Sequence, residues 1–129
     1  MVSNVPIRLL IVDDEPMVRE NLEAYFEDEG FAVTSFENGE QAVEYLKNEN
    51  MDIGIIDLRL PGIDGDVTIL KSHKIQPGMK FIIYTGSTSY NSLPDELIKL
   101  GMSLKNIYHK TTMDMGELAK GINTIMVTT

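Results

Sequence analysis

Short apolar runs alternate along this chain with segments of helical periodicity, and this alternation constrains the fold more than any other feature. Leu9–Val12 and Ile53–Ile56 contain no polar or charged side chain. A strand buries side chains on both faces only when helices cover both faces of its sheet, which is typical of parallel sheets. Strand and helix segments alternate five times, which predicts a parallel α/β sheet with right-handed crossovers. The predicted strands are 8–12, 31–36, 53–57, 81–85 and 104–110.

Residues with strong helix-end preferences place a helix after each strand. Pro16 suits the first turn of a helix. Asn38 followed by Gln41, and Asp114 followed by Glu117, have the spacing of residues that cap a helix N-terminus. The predicted helices lie between residues 15 and 30, 38 and 46, 66 and 73, 94 and 100, and 114 and 126.

Composition narrows the class of protein. A length of 129 residues fits one domain, here predicted as 1–129 with a core of about 6–127, and 43% hydrophobic residues suffice for a buried core. The net charge of −9 argues against direct binding to nucleic acid. Without cysteine the chain has no disulfides or thiol chemistry, and its short apolar runs predict neither a membrane span nor a secretory signal. A cytoplasmic location is therefore expected.

Five chemically capable side chains stand at or just beyond the predicted strand ends. They are Asp13, Asp14, Asp57, Thr85 and Lys110. Each alone has an ordinary structural role, as a helix cap, a turn residue, a loop hydroxyl or a solvated charge. Ligands of open α/β sheets bind outside the carboxyl ends of the strands, where all five would meet. The combination predicts a site at that edge.

The chemistry of this set favours phosphoryl transfer. Clustered carboxylates repel one another unless a cation joins them, and hard oxygen ligands favour Mg²⁺. Lys110 would add a point charge for a phosphoryl oxygen, and Thr85 a hydrogen bond. Phosphoryl transfer relies mainly on positioning and charge neutralisation. A carboxylate is the best nucleophile present, so the product would be an acyl phosphate.

These residues and their sequence context resemble the receiver domain of bacterial two-component response regulators. The matching motifs are Asp13-Asp14 after an apolar strand, the segment Asp57–Gly65, Tyr84-Thr85-Gly86, and Lys110. The resemblance covers nearly the whole chain. It implies a flavodoxin-like three-layer (βα)5 sandwich with strand order 2-1-3-4-5.

The resemblance also implies the acceptor and the metal ligands. Asp57 would accept a phosphoryl group from the phosphohistidine of a sensor histidine kinase or a phosphotransfer protein. Asp14, Asp57 and the backbone carbonyl of Arg59 would bind Mg²⁺, and Asp13 would act through a water molecule. Such a domain catalyses only its own phosphorylation and dephosphorylation, so it is a signalling switch rather than an enzyme acting on an external substrate.

The remaining roles that the resemblance implies concern switching. Lys110 would pair with the phosphoryl group, and Thr85 would reorient to hydrogen-bond it. The small residue Gly86 would leave room for the phosphoryl group. The change would be transmitted through the face formed by the fourth helix, fifth strand and fifth helix, to a second copy of the chain or to an output domain outside this sequence.

Two positions near Lys110 depart from the family pattern. Thr111 replaces the usual proline, and because a cis bond before a non-proline residue costs about 2.5–4 kcal/mol, a trans bond is predicted. The family's switch aromatic, three residues before the lysine, is replaced by Ile107. A shift in register would place Tyr108 there instead, and that arrangement is favoured; otherwise Ile107 lies at the switch position.

Three other functions compete with the phosphorylatable receiver. A receiver-like module that signals through the altered Lys110–Asp114 segment, without phosphorylation, is the main alternative. A Mg²⁺-dependent phosphatase of the haloacid-dehalogenase type would need Asp-x-Asp after its first strand, whereas Asp13-Asp14 is followed by Glu15. A flavodoxin would need a phosphate loop rich in hydroxyls and glycine, which is absent there.

Overall fold

Five parallel strands form one sheet, and the computed structural model describes residues 5–87, 92–110 and 114–127 around it. The strands are β1 (Arg8–Val12), β2 (Ala32–Phe36), β3 (Ile53–Ile56), β4 (Lys80–Thr85) and β5 (Ile107–His109). Their order across the sheet is β2-β1-β3-β4-β5. The predicted fold class and strand order are both confirmed.

Helices connect the strands on both faces of the sheet. They are α1 (Pro16–Asp28), α2 (Gly39–Leu46), α3 (Gly65–Ile75), α4 (Asp95–Ile98) and α5 (Met115–Val127). The third helix is longer than predicted, and the fourth is shorter. The fourth helix ends early because the backbone N–H groups of Leu100 and Gly101 bond three residues back, and Gly101 then turns with φ +94°.

Alternate residues of each strand face two separate cores, which makes the fold a three-layer sandwich. One core contains Leu10, Ile56 and Ile83 with residues of α2, α3 and α4. The other contains Leu9 and Ile55 with residues of α1 and α5. Burial of both strand faces leaves the carboxyl edge of the sheet as the place where polar side chains collect.

The segment before β5 differs from the predicted strand 104–110. Leu104–Asn106 form a 3-10 turn instead. The side-chain hydroxyl of Ser103 accepts from the backbone N–H of Lys105, and the side-chain oxygen Oδ1 of Asn106 accepts from the backbone N–H of Ser103. The Asn106 amide also donates to the carbonyl of Phe81 on β4. These side-chain bonds satisfy backbone groups that a longer strand would have paired with its neighbour.

Asn38 caps α2 as its position in the sequence predicts. Its side-chain oxygen accepts from the backbone N–H of Gln41 at 2.8 Å. Asn38→Ala should therefore lower the free energy of unfolding by about 1 kcal/mol, whereas Asn38→Asp keeps an acceptor and should change it little. Urea denaturation followed by circular dichroism measures both. Equal losses in the two variants would show that the cap bond is not the source of the effect.

Candidate functional site

Three carboxylates meet at the carboxyl edge of the sheet. Asp13 and Asp57 follow β1 and β3 and are only 1% and 5% exposed, while Asp14 is exposed. One oxygen of each lies within 4.8 Å of the others. The structure thus brings together the three acids that the sequence places at strand ends.

Backbone hydrogen bonds hold the two buried aspartates in place. The N–H of Asp13 donates to the carbonyl of Phe36, and that of Asp57 donates to the carbonyl of Val12. The sheet pairing therefore continues one residue beyond β1 and β3. Arg19 of α1 also donates from Nη1 to the Asp13 carbonyl at 2.8 Å. This arginine was not singled out from the sequence, because its single charge on a helix does not reveal a backbone partner.

Lys110 joins the acidic cluster from the end of β5. Its Nζ lies 2.9 Å from Asp13 Oδ2, 3.3 Å from Asp57 Oδ2 and 3.1 Å from Glu15 Oε1. Glu15 was not predicted as a site residue, although its place directly after the acidic pair was the available signal. The side chain of Lys110 is 13% exposed, so water screens these contacts only partly. Thr111 lies outside the described residues, and with it the predicted trans bond.

Burial and mutual charge shift the pKa values of the cluster. Burial, followed by the charge of Asp13, raises the pKa of Asp57 to about 6, although Lys110 and a backbone hydrogen bond from Arg59 oppose the shift. Burial likewise raises the pKa of Asp13. Burial lowers the pKa of Lys110, but contacts with Asp13 and Asp57 outweigh it and raise the value. Asp57 is thus ionised at neutral pH and more basic than an ordinary aspartate.

The loop after β3 packs closely enough to fix the backbone around Asp57. A Cβ on Gly65 would collide with the carbonyl oxygen of Asp57 and with Leu58 Cα, and the Gly65 N–H donates to the Leu58 carbonyl at 2.8 Å. Gly62 has φ +76°, which strongly favours glycine. Arg59 points its side chain outward but keeps its backbone beside the Asp57 carboxylate.

Thr85 ends β4 as a buried hydroxyl, 1% exposed. Its carbonyl accepts from the backbone N–H of Lys110, which ties β4 to the end of β5. Its Oγ1 accepts from the backbone N–H of Ser87 at 3.1 Å. A Cβ on Gly86, the next residue, would meet no atom of the rest of the fold within 4 Å.

The register of β5 contradicts the favoured position of Tyr108. Tyr84 pairs with Tyr108 and Thr85 with His109, and paired residues of parallel strands project to the same face. Tyr108 therefore packs on the α1/α5 face, where a Cβ on Gly121 would collide with its ring. The prediction that Tyr108 occupies the switch position is wrong. Ile107 packs on the opposite face, the side of Thr85, as an unshifted register requires.

Comparison with known proteins identifies the family. The sequence of the chain matches the family model of the response regulator receiver domain over residues 9–127. The chain belongs to the response-regulator receiver family. Receiver domains are components of two-component signalling, and the confirmed strand order agrees with this assignment.

A curated relative and two solved structures illustrate the similarity. The transcriptional regulatory protein GlrR of Escherichia coli is 37% identical over 93 residues, 72% of this chain and 20% of GlrR. A CheY-like receiver domain protein from Methanospirillum hungatei has a TM-score of 0.81 at 25% identity, covering 95% of each chain. The response regulator TrrA of Thermotoga maritima, solved in complex with Mg²⁺-BeF, has a TM-score of 0.76 at 28% identity, covering 92% of this chain and 98% of TrrA.

The receiver chain thus spans about a fifth of the length of GlrR. Of the helices that the structure describes, none combines the length and apolar character needed to cross a bilayer.

Proposed function

We propose that this receiver domain is a phosphorylation-dependent switch whose phosphoacceptor is Asp57. The observation that carries the proposal is the position of Lys110 Nζ, 3.3 Å from Asp57 and 2.9 Å from Asp13, at the carboxyl edge of the sheet. The basic carboxylate of Asp57 supplies the nucleophile. The cation of Lys110 beside it supplies part of the charge neutralisation that phosphoryl transfer requires.

The donor is the phosphohistidine of a sensor histidine kinase or a phosphotransfer protein. An oxygen of Asp57 forms the P–O bond while the P–N bond breaks, and the imidazole leaves with the bonding electrons and is then protonated. Lys110 stays beside the transferred group, whose added charge of about −1.5 to −2 it partly offsets. Hydrolysis of the acyl phosphate regenerates Asp57 and releases inorganic phosphate. No external metabolite is turned over.

The acidic cluster suits Mg²⁺ as the cofactor. Oxygens of Asp13, Asp14 and Asp57 lie within 4.8 Å of one another, and Mg²⁺ prefers oxygen ligands while retaining waters. We assign the carbonyl of Arg59 to the same set. Bound Mg²⁺ supplies charge neutralisation at the carboxylates and phosphoryl oxygens.

Asp14 and Asp13 should contribute unequally to Mg²⁺ affinity. Both oxygens of Asp13 already have partners, since Oδ2 contacts Lys110 and Oδ1 accepts from the N–H of Glu15, whereas Asp14 is exposed. Asp14 therefore suits direct ligation, and Asp13 contact through water. Loss of a partner outside the direct ligand set typically weakens metal binding by about 10–100-fold, which is the effect expected of Asp13→Ala, and Asp14→Ala should weaken Mg²⁺ binding more. Isothermal titration calorimetry tests this, and equal losses would contradict the assignment.

Intact mass spectrometry tests the proposed function most directly. After incubation with acetyl phosphate and Mg²⁺, the mass of the protein should rise by one phosphoryl group, and chelation of Mg²⁺ should prevent the rise. Asp57→Ala should abolish the adduct. Asp28→Ala, which removes an exposed aspartate at the end of α1, should retain it.

A phosphoryl adduct on Asp57→Ala would refute the assignment of the acceptor. If the folded wild-type protein gave no adduct with acetyl phosphate or with a phosphorylated histidine kinase, the phosphorylation-independent interaction module would replace the switch.

The partners of the switch follow from the same proposal. We assign the output face to α4, β5 and α5, which would contact a second copy of the chain or an output domain. Residues 1–129 constitute one domain in this proposal. Ile98 and Leu104 are 52% and 59% exposed on this side of the fold, where they offer apolar area for such a contact.

A further inference from the structure

Two side chains contact the backbone of Ser87, just beyond β4. One contacts its N–H group and the other its carbonyl oxygen. Thr85 Oγ1 accepts from the Ser87 N–H at 3.1 Å. His109 Nδ1 lies 3.2 Å from the Ser87 carbonyl oxygen. The first of these side chains is the hydroxyl that, by the family resemblance, would hydrogen-bond a phosphoryl group on Asp57.

His109 stands on the side of the sheet where the switch residue is expected. It pairs with Thr85 across the β4–β5 ladder and therefore projects to the same face. Ile107 shares that face but has no polar atom, and Tyr108 lies on the other face. Among residues 107–109, His109 is therefore the one that brings a hydrogen-bonding ring to the Thr85 side.

The Ser87 contact requires a hydrogen on Nδ1 of the His109 ring. A carbonyl oxygen can only accept, so Nδ1 must carry a proton to make this bond. His109 is half-buried and directly precedes Lys110, whose Nζ contacts Asp57. The imidazole thus connects the loop after β4 to β5, which Lys110 directly follows.

We propose that His109 is the positioning residue that transmits movement of Thr85 to β5. Ile107, which stands at the family's switch position, has no polar group with which to do this. This inference rests on the proposed function. When Thr85 turns its hydroxyl to a phosphoryl group on Asp57, the bond from the Ser87 N–H to Thr85 Oγ1 breaks. Ser87 then shifts, and its bond to His109 Nδ1 changes with it. The result is a rearrangement of β5 without an aromatic switch residue.

Imidazole NMR provides the test, because the chain contains only two histidines. The probe is beryllium fluoride with Mg²⁺, a mimic of the phosphoryl group. Before its addition, His109 should show a protonated Nδ1. On its addition, the His109 resonances should shift, whereas those of His73, near the end of α3, should not. If saturating probe shifts the backbone resonance of Asp57 but leaves the His109 ring unmoved, the inference is wrong.

Substitutions supply a second readout. His109→Ala should accept a phosphoryl group as wild type does, because the ring does not contact Asp57 in the described structure. In His109→Ala, however, the change in amide exchange that phosphorylation causes over residues 92–110 should be lost. His109→Asn, whose amide can donate to Ser87, should restore that change, and His73→Ala should behave as wild type. An unchanged exchange response in His109→Ala would overturn the inference, whereas a missing adduct in wild type would instead overturn the proposed function.

Discussion

Replacing Asp57 with Asn is expected to stabilise the protein at pH 7, even though it removes a contact with Lys110. The pKa of Asp57 is raised to about 6 by burial and by the charge of Asp13, so its ionised form is costly in the native state. Against an ordinary value of 3.8, the shift corresponds to a gain on the order of 3 kcal/mol when the charge is removed. Lys110 would keep its contacts with Asp13 and Glu15.

The pH dependence of this effect has a definite sign. Because the native state holds the Asp57 proton more tightly than the unfolded chain does, this group lowers the free energy of unfolding as pH rises from about 4 to about 6. The proton on Asp57 contributes its full stabilisation below about pH 4, and this stabilisation is lost above about pH 6. The difference between Asp57→Asn and wild type should therefore be small at pH 4 and reach its maximum near pH 7. Urea denaturation at several pH values measures it.

Asp52 offers a control of opposite sign. Hydrogen bonds and charge from Arg8 lower the pKa of Asp52, with Arg8 Nη2 2.9 Å from Asp52 Oδ1. Its stabilising effect is present above its ordinary pKa and lost as pH falls. Asp52→Asn should therefore destabilise the protein at pH 7. If Asp57→Asn also destabilised it, the contact with Lys110 would outweigh the burial of the charge.

Gly65→Ala is expected to have the largest destabilising effect. An added Cβ would collide with the carbonyl oxygen of Asp57 and the Cα of Leu58, which are backbone atoms and cannot move aside like a flexible side chain. Overpacking of this kind costs about 3 kcal/mol of unfolding free energy. The collision should also displace Asp57, so phosphoryl acceptance should fall at temperatures where the variant remains folded.

Gly78→Ala is the matched control for this effect. A Cβ on Gly78 would meet no atom within 4 Å, and the residue does not have positive φ. The free energy of unfolding of Gly78→Ala should therefore stay within about 0.5 kcal/mol of wild type. Equal stability of Gly65→Ala and Gly78→Ala would show that the loop after β3 can move away from Gly65, and that this contact does not fix the position of Asp57.

The sequence predicted the elements and the acidic edge because both depend on local pattern. An apolar run that must be covered on two faces specifies a parallel strand wherever it lies, as in Leu9–Val12 and Ile53–Ile56. The residue that follows such a run then stands at the sheet edge, which brings Asp13 near Asp57. Caps such as Asn38 are equally local, since donor and acceptor are three residues apart. The order of the strands, in contrast, came from the family resemblance and not from the pattern.

Only the tertiary structure decided which side chains meet across the fold. The positions of Tyr108 and Ile107 depend on the register between β4 and β5, whose paired residues lie 24 positions apart, and a change of one residue reverses the face. The contact of Glu15 with Lys110 spans 95 positions, and that of His109 with Ser87 spans 22. Periodicity encodes which residues are buried. It does not encode their partners, because those depend on how separate elements pack.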